Sequence, residues 1–303
     1  MYSYYNLEKI LKKKNIKKSE LSSKLGISSR TIAKIKKGEK ISRLTLEKIA
    51  HYINCDSNDL ISYKSDNKLL QILQDEKYAK ISGGIYHELQ IRMTYNSNHI
   101  EGNKLTEDQT RFIFETNTID TNGSVLVDDI LETVNHFHAI DYVIENAEKK
   151  LDEEIIKELH KILKQNTKDS TLEWFSVGDY KQRPNVIGET LTTAPENVQY
   201  EMKKLINEYN SNENIAIEDI IKFHAKFEKI HPFQDGNGRV GRLISFKECL
   251  YHKLVPFIIE DEKKYFYYRG LSNWNDEESY LIDTCLDGQD TFKKMLVKYN
   301  IEV

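Results

Sequence analysis

Apolar residues recur every three to four positions along most of the chain, which is the spacing of one buried helix face. Over the first sixty residues they form short blocks: Leu7, Ile10 and Leu11; Leu21 and Leu25; Ile32 and Ile35; Leu44, Leu46, Ile49 and Ile53. A polar, mixed stretch follows, ISYKSDNKLLQILQDEKYAK, with no proline or glycine run, and reads as a helical connector over 66–83. Beyond Ile81 the helical period resumes with Leu89, Ile91–Met93, Phe112–Phe114, and then Ile130, Leu131, Val134, Phe137 and Ile140. Two more amphipathic segments fall at Lys149–Leu163 and Gln199–Tyr209. The rhythm breaks over 174–196, where Gly178, Pro184, Gly188 and Pro195 punctuate two β-prone pieces, Val186-Ile187 and Leu191–Thr193, suited to a hairpin. The expected fold is therefore all-α in the main. A small bundle spans 1–65, the connector 66–83, and a larger helical domain with one β-hairpin 84–303.

Charge separates the two domains. Residues 1–65 hold 15 Lys and Arg against 6 Asp and Glu, whereas the rest holds 29 against 42, so a net charge of −4 conceals +9 joined to −13. A basic module of this size points to nucleic acid. Its second and third apolar blocks are joined by Leu25-Gly26-Ile27-Ser28-Ser29. There Gly26 can adopt the left-handed conformation that ends a helix, and Ser28 or Ser29 can cap the next one. The result is a helix-turn-helix whose second helix, about Ser29–Lys37, would present Ser29, Arg30, Thr31 and Lys34 to DNA, with Ile32 and Ile35 turned inward. Lys36, Lys37, Lys40 and Arg43 suit phosphates. Over about residues 5–63 the segment resembles the phage-repressor type of helix-turn-helix domain, with Lys17-Lys18 where those domains often carry Thr-Gln. The competing reading is a helical bundle that binds protein or dimerises.

No run of about 18 apolar residues offers a membrane span, and the N-terminus has neither a secretory apolar core nor a small-residue cleavage site. Cys55, Cys249 and Cys285 are far apart and lack metal spacing. Reduced thiols and a cytoplasmic location are expected.

The densest chemistry lies in His231-Pro232-Phe233-Gln234-Asp235-Gly236-Asn237-Gly238-Arg239-Val240-Gly241-Arg242. Gly236, Gly238 and Gly241 satisfy G-x-G-x-x-G, and Asp261 lies about twenty residues on, as in a dinucleotide-binding βαβ unit. That fingerprint must follow a strand, however, and the preceding Ile220, Ile221, His224, Phe227 and Ile230 are spaced as a helix. The stretch is instead a tight loop between two helices, stopped by Pro232 and restarted at about Asn237. Backbone N–H groups at such a helix start form an anion site. Arg239 and Arg242, spaced i,i+3, can clamp phosphate oxygens. Asp235 would bring in Mg²⁺, and His231 is placed to take a proton from an attacking hydroxyl. These parts specify transfer from a Mg²⁺-bound nucleotide to a hydroxyl.

The twelve residues match the signature of the Fic family, H-P-F-x-D/E-G-N-G-R-x-x-R, and the resemblance extends over roughly 84–296. It implies a helical protein that transfers AMP from ATP to a Ser, Thr or Tyr hydroxyl of a target protein, itself included. It also implies His231 as general base, Asp235 as the Mg²⁺ ligand, Gly236–Gly238 as the phosphate loop, and Arg239 and Arg242 on the outer phosphates. The whole stretch Gly236, Asn237, Gly238, Arg239, Val240, Gly241 and Arg242 is expected at the nucleotide. Val186, Ile187 and Gly188 resemble the flap that aligns a target's backbone, and Tyr267, Tyr268 and Asn275 resemble the nucleoside-binding segment. Upstream, Ser97-Asn98-His99-Ile100-Glu101-Gly102 resembles the family's inhibitory motif, S/T-x-x-x-E-G/N, on a helix near 90–103. By that resemblance Glu101 pairs with Arg242 and closes the site. Three other readings stay open: removal of AMP with Glu101 orienting water, donation of another nucleotide, and a transcription regulator that senses nucleotide without turnover. Homo-oligomerisation is also left open.

Overall fold

The computed structural model describes residues 2–302 other than 38, 40, 58, 59, 61, 64–66, 122 and 189. Lys40 and the expected boundary at 65/66 lie outside the described residues. Contacts divide the chain into two units, Met1–Gln71 and Ile72–Val303.

The first unit comprises β1 (Tyr2–Ser3), α1 (Tyr5–Lys13), α2 (Lys18–Leu25), α3 (Ser29–Lys37), α4 (Arg43–Ile53) and β2 (Ser62–Tyr63). Gly26 ends α2 with φ +67. The Thr31 N–H donates to Ser28 Oγ at 3.1 Å, so Ser28 is the cap and Ser29 the first helical residue of α3. The core gathers Leu7, Leu11, Leu21, Ile27, Ile35, Leu46, Ile49 and Ile53. Leu44, expected on that face, is instead 63% exposed. It lies two residues before Leu46, about 200° round the helix, which is the opposite side of α4. Tyr4 fixes the loop after α3, donating its hydroxyl to Glu39 O at 2.8 Å and accepting from Ile41 N–H at 3.1 Å. The β1–β2 pairing, Tyr2 opposite Tyr63, was not expected, because strands of two residues carry no readable period.

Helix α5 (Lys68–Ala79) occupies most of the stretch expected as connector, and the contact boundary falls within it. From residue 72 it joins the second unit, where Lys77 pairs with Glu145 at 2.6 Å. The helices that follow are α6 (Ile85–Ile100), α7 (Glu107–Thr116), α8 (Val127–Asn146) and α9 (Glu153–Lys164). The hairpin strands β3 (Val186–Ile187) and β4 (Thr190–Leu191) pair antiparallel, Val186 opposite Leu191. Helices α10 (Pro195–Asn210), α11 (Ile217–Ile230), α12 (Asn237–Tyr251), α13 (Lys264–Ser272) and α14 (Ser279–Lys298) complete the unit. The fold is thus helical with two small antiparallel pairs among the described residues. No described helix is long and apolar enough to cross a membrane.

The second unit is organised around α12, in which every residue from Asn237 to Leu250 is buried. A helix that is buried all round needs neighbours on every side, and α6, α8, α9 and α11 supply them. Small residues allow the close approach. A Cβ added at Gly241 would lie 2.7 Å from His224 Nδ1 and 2.8 Å from Glu228 Oε1. The α13–α14 crossing is as tight, since a Cβ at Gly270 would meet the Leu281 backbone at 2.7 Å. Gly270→Val should therefore lower the stability of the second unit by about 1–3 kcal/mol, a helix-propensity gain of roughly half a kcal/mol offsetting little of it. Gly123→Ala, where no heavy atom lies within 4 Å, should be near neutral in the same denaturant titration.

Candidate active site

The loop between α11 and α12 is held in shape before any ligand arrives. His231 caps α11 with φ +53, in the left-handed region, so that the chain turns sharply into Pro232. Phe233 is fully buried and stacks on His160 of α9, ring centres 4.0 Å apart. Asn237 spends both ends of its amide on Phe233, accepting from its N–H at 2.8 Å and donating to its carbonyl at 2.9 Å. Gly236, at φ +79, then opens α12.

His231 is half-buried, and its Nδ1 lies 3.3 Å from the Glu228 carbonyl. A carbonyl only accepts, so Nδ1 carries the proton and Nε2 keeps its lone pair. Burial chiefly, together with the Lys181 ammonium, holds the imidazole below the usual histidine pKa, against the Glu228 carbonyl, Glu101 and Asp235. The neutral form of the ring is therefore favoured at neutral pH.

Two charge clusters, each built on buried cations, flank the start of α12. In the first, Asp235 Oδ2 accepts from Lys164 Nζ at 2.6 Å and from Arg239 Nη2 at 3.3 Å. Glu132 of α8 joins the cluster, 2.6 Å from Arg239 and 2.9 Å from Lys164, and Asp169 lies 3.5 Å from Lys164. Burial would raise the Asp235 pKa, but Arg239 and Lys164 hold it well below the usual carboxylate range. In the second, Arg242 uses all three guanidinium nitrogens. Nε donates to Ser97 Oγ at 3.0 Å, Nη2 to Ser97 O and Glu101 Oε1, both at 2.8 Å, and Nη1 to the Tyr267 hydroxyl at 3.3 Å. The Tyr267 oxygen therefore accepts from Arg242, and its own proton turns to His224 Nε2 at 2.8 Å. Glu101 stands at the C-cap of α6, and a Cβ placed on Gly238 would collide with its carboxylate. A carboxylate thus lies over the N-terminal end of α12, in the position that helix geometry favours for an anion.

Other expected residues serve the loop in different ways. Val240 is in the core and Gly241 backs onto His224 and Glu228, so both shape α12 from its inner side. Tyr267 is 1% exposed and positions Arg242, while Tyr268 donates its hydroxyl to Ile100 O at 3.0 Å. Asn275 is exposed and accepts from Lys229 at 3.4 Å, a residue of α11 and not of the loop. Val186, Ile187 and Leu191 of the hairpin are exposed, and Gly188 has φ +57. In the first unit Ser29 and Arg30 are exposed, whereas Thr31 and Lys34 are half-buried.

Sequence reasoning missed Glu132, His160, Lys164, Lys181 and Glu228. A signal existed for three of them: His160 and Lys164 sit i,i+4, as Glu228 does to His224, within apolar stripes of their helices. Polar residues at core spacing mark buried networks.

Among the described residues no group of three His, Cys, Asp or Glu side chains could hold a metal by itself. Asp235 is nevertheless an ionised oxygen donor at the helix start, which suits Mg²⁺ carried mainly by phosphates and waters.

Residues 150–247 match the Fic/DOC family, and residues 6–66 match the Cro/C1-type HTH DNA-binding domain. The chain carries a Fic/DOC domain joined to a Cro/C1-type helix-turn-helix domain. It is similar to the protein adenylyltransferase Fic of Nematostella vectensis, 29% identical over 189 residues, which are 60% of this chain and 42% of that protein. The Drosophila melanogaster protein of the same name is 28% identical over 189 residues, 60% of this chain and 37% of its own. The chain spans about two fifths of the length of these curated relatives. Among solved structures, a Fic domain-containing signalling protein from Bacteroides thetaiotaomicron superposes with a TM-score of 0.61 at 26% identity, over 76% of this chain and 91% of that one. Fic-1 from C. elegans shares the fold, with a TM-score of 0.58 at 20% identity over 84% and 80% of the two chains.

The buried acid at 228 generates a stability prediction. Burial first, then the nearby Glu101 carboxylate, pushes Glu228 up to about 8 against the pull of Arg242. The folded state therefore keeps a proton that the unfolded state has already lost, so stability falls as pH rises from the ordinary carboxylate range toward 8, by up to about 1.4 kcal/mol per pH unit. Glu228→Gln should remove this slope, leaving the protein more stable than the parent at pH 8 and little changed at pH 5 in denaturant titrations.

Proposed function

We propose that the second unit transfers AMP from ATP to a Ser, Thr or Tyr hydroxyl of a protein, that Glu101 holds this activity down, and that the first unit binds DNA. The observation that carries the reading is the joint placement of His231, with Nε2 free of the Glu228 bond, and an α12 start whose anion position Glu101 fills. The matched family and the names of the relatives support the same chemistry.

In the proposed reaction the target hydroxyl loses its proton to His231 Nε2 as its oxygen bonds to the α-phosphorus. The bond from that phosphorus to the pyrophosphate oxygen breaks, and pyrophosphate leaves with the electron pair. The protein becomes a phosphodiester of AMP. When bound, Mg²⁺ would offset phosphate charge, and Asp235 is the carboxylate to hold it. The N–H groups after Gly236 and the Arg239 and Arg242 guanidiniums meet the phosphates. The exposed hairpin edge at Val186 and Ile187 would receive extended target backbone. With Glu101 on Arg242, that guanidinium is committed to a carboxylate and cannot orient the outer phosphate. ATP bound in this state would sit in an unproductive pose.

Incubation with α-labelled ATP and Mg²⁺, alone and with cell lysate, checks the reading. Glu101→Gly should raise label incorporation into protein at least about tenfold, the scale of one lost charge-assisted bond. Adding His231→Ala should lower it again by roughly 10²–10⁴-fold. If purified Glu101→Gly protein labels nothing, adenylyl transfer is abandoned. For the first unit, Ser29 and Arg30 at the exposed start of α3, with Lys34 beside them, supply the contacts. Changing Arg30 and Lys34 together to Ala should weaken binding to duplex DNA and flatten its salt dependence by about one unit of log–log slope per lost phosphate contact. Fluorescence anisotropy at several salt concentrations measures both.

A further inference from the structure

Lys181, in the segment leading to the hairpin, is 3% exposed, and among the described residues no carboxylate pairs with it. Its ammonium donates instead to three neutral oxygens: Asn185 Oδ1 at 2.7 Å, Thr192 Oγ1 at 2.6 Å and the Ile230 carbonyl at 3.5 Å. The first two flank the β3–β4 hairpin, and the third belongs to the last turn of α11, immediately before His231. Two further bonds repeat the link. Lys181 N–H donates to Pro232 O at 2.9 Å, and Asn185 Nδ2 donates to Phe233 O at 2.9 Å. A buried cation without a counter-ion is costly, and burial lowers the Lys181 pKa to about 8. An isosteric neutral group could make similar hydrogen bonds, so the charge itself needs an explanation.

We propose that Lys181 is a positioning residue for the proposed transfer: it pins the hairpin to the catalytic loop, and its uncompensated charge keeps protons off His231. The charged or titratable groups facing that imidazole are Lys181, Glu101 at the end of α6 and Asp235 in the loop, with the Glu228 carbonyl from α11. Both carboxylates and the carbonyl favour imidazolium. Lys181 is the cation that opposes them. It fixes the geometry between target backbone and base with one atom, and with the same atom holds the base ready.

The inference rests on His231 being the proton acceptor of the proposed reaction, but its test needs no turnover. Histidine titrations of the full chain are followed by NMR without nucleotide or metal, the His231 signal being identified by its loss in His231→Ala. Lys181→Gln, which keeps a donor but not the charge, should raise the His231 midpoint by roughly one pH unit; Lys181→Arg should leave it in place. Asn185→Asp, nearly isosteric, sets a carboxylate against the ammonium and should raise the midpoint as well, deciding the matter if Lys181→Gln does not fold. A midpoint that stays at the parent value in a folded neutralising variant overturns the proposal, as does an equal rise with Lys181→Arg. A purely structural lysine would lower the thermal midpoint and leave the titration unmoved.

Discussion

The second unit depends on how one buried guanidinium is satisfied. Arg242 is 5% exposed on a helix that is itself enclosed, and a charge so placed must be matched by partners on every side. Those partners come from three elements distant in sequence: Ser97 and Glu101 at the end of α6, Tyr267 on α13, and His224 on α11 acting through Tyr267. Removing any one would leave a donor unpaired in a low-dielectric interior, at a cost of about 1–3 kcal/mol. This requirement draws α6 and α13 onto α12. It also means that the inhibitory contact proposed for Glu101 is part of the packing and not an addition to it, so release of Glu101 calls for another anion to take its place. A phosphate oxygen meets that need.

The first charge cluster follows the same logic with a different balance. Lys164 and Arg239 face Asp235 and Glu132, and Asp169 adds a third carboxylate beside Lys164, so every member has an opposite neighbour. The Asp235 side chain is 48% exposed while Lys164 is 2% exposed, so the cluster opens outward through its carboxylate. A divalent ion held by Asp235, as proposed, would share the carboxylate with two cations. Its approach is easiest when phosphates bring their own negative charge, in keeping with the absence of a self-contained metal cage among the described residues.

Much of this was legible in the sequence, for reasons that differ from residue to residue. The helices were readable because apolar stripes repeat every three to four residues. The α2–α3 turn was readable because Gly26 and Ser28 have opposite backbone and capping preferences. The loop at 231–242 stood out by composition alone. The approach of Glu101 to Arg242 was expected from resemblance only, since no local rule relates residues 141 positions apart. What escaped was the set of polar side chains placed inside by tertiary packing. Lys164 and Lys181 are buried although lysine seldom is, so residue type gives no sign of their place. Tyr267 is expected at the nucleoside by resemblance alone, and its burial against Arg242 is a matter of packing that no local pattern states. The outward turn of Leu44 follows from its angle to Leu46, which was readable; treating all four apolar residues of that block as one face obscured it.

Two of the buried lysines, Lys164 and Lys181, show how neighbours decide what a charge does. Lys164 sits among carboxylates, and its field is cancelled within a few ångströms, so what remains of it is geometry. Lys181 sits among an amide, a hydroxyl and a carbonyl, which orient it without cancelling it. In a medium of effective dielectric constant about 20, a full charge several ångströms away is still felt at the energy scale of a pKa shift. A lysine bonded to neutral oxygens beside the proposed base therefore acts at a distance, and one bonded to acids beside the proposed metal ligand does not. The sequence writes both as the same letter, and only the partners tell the electrostatic device from the structural one.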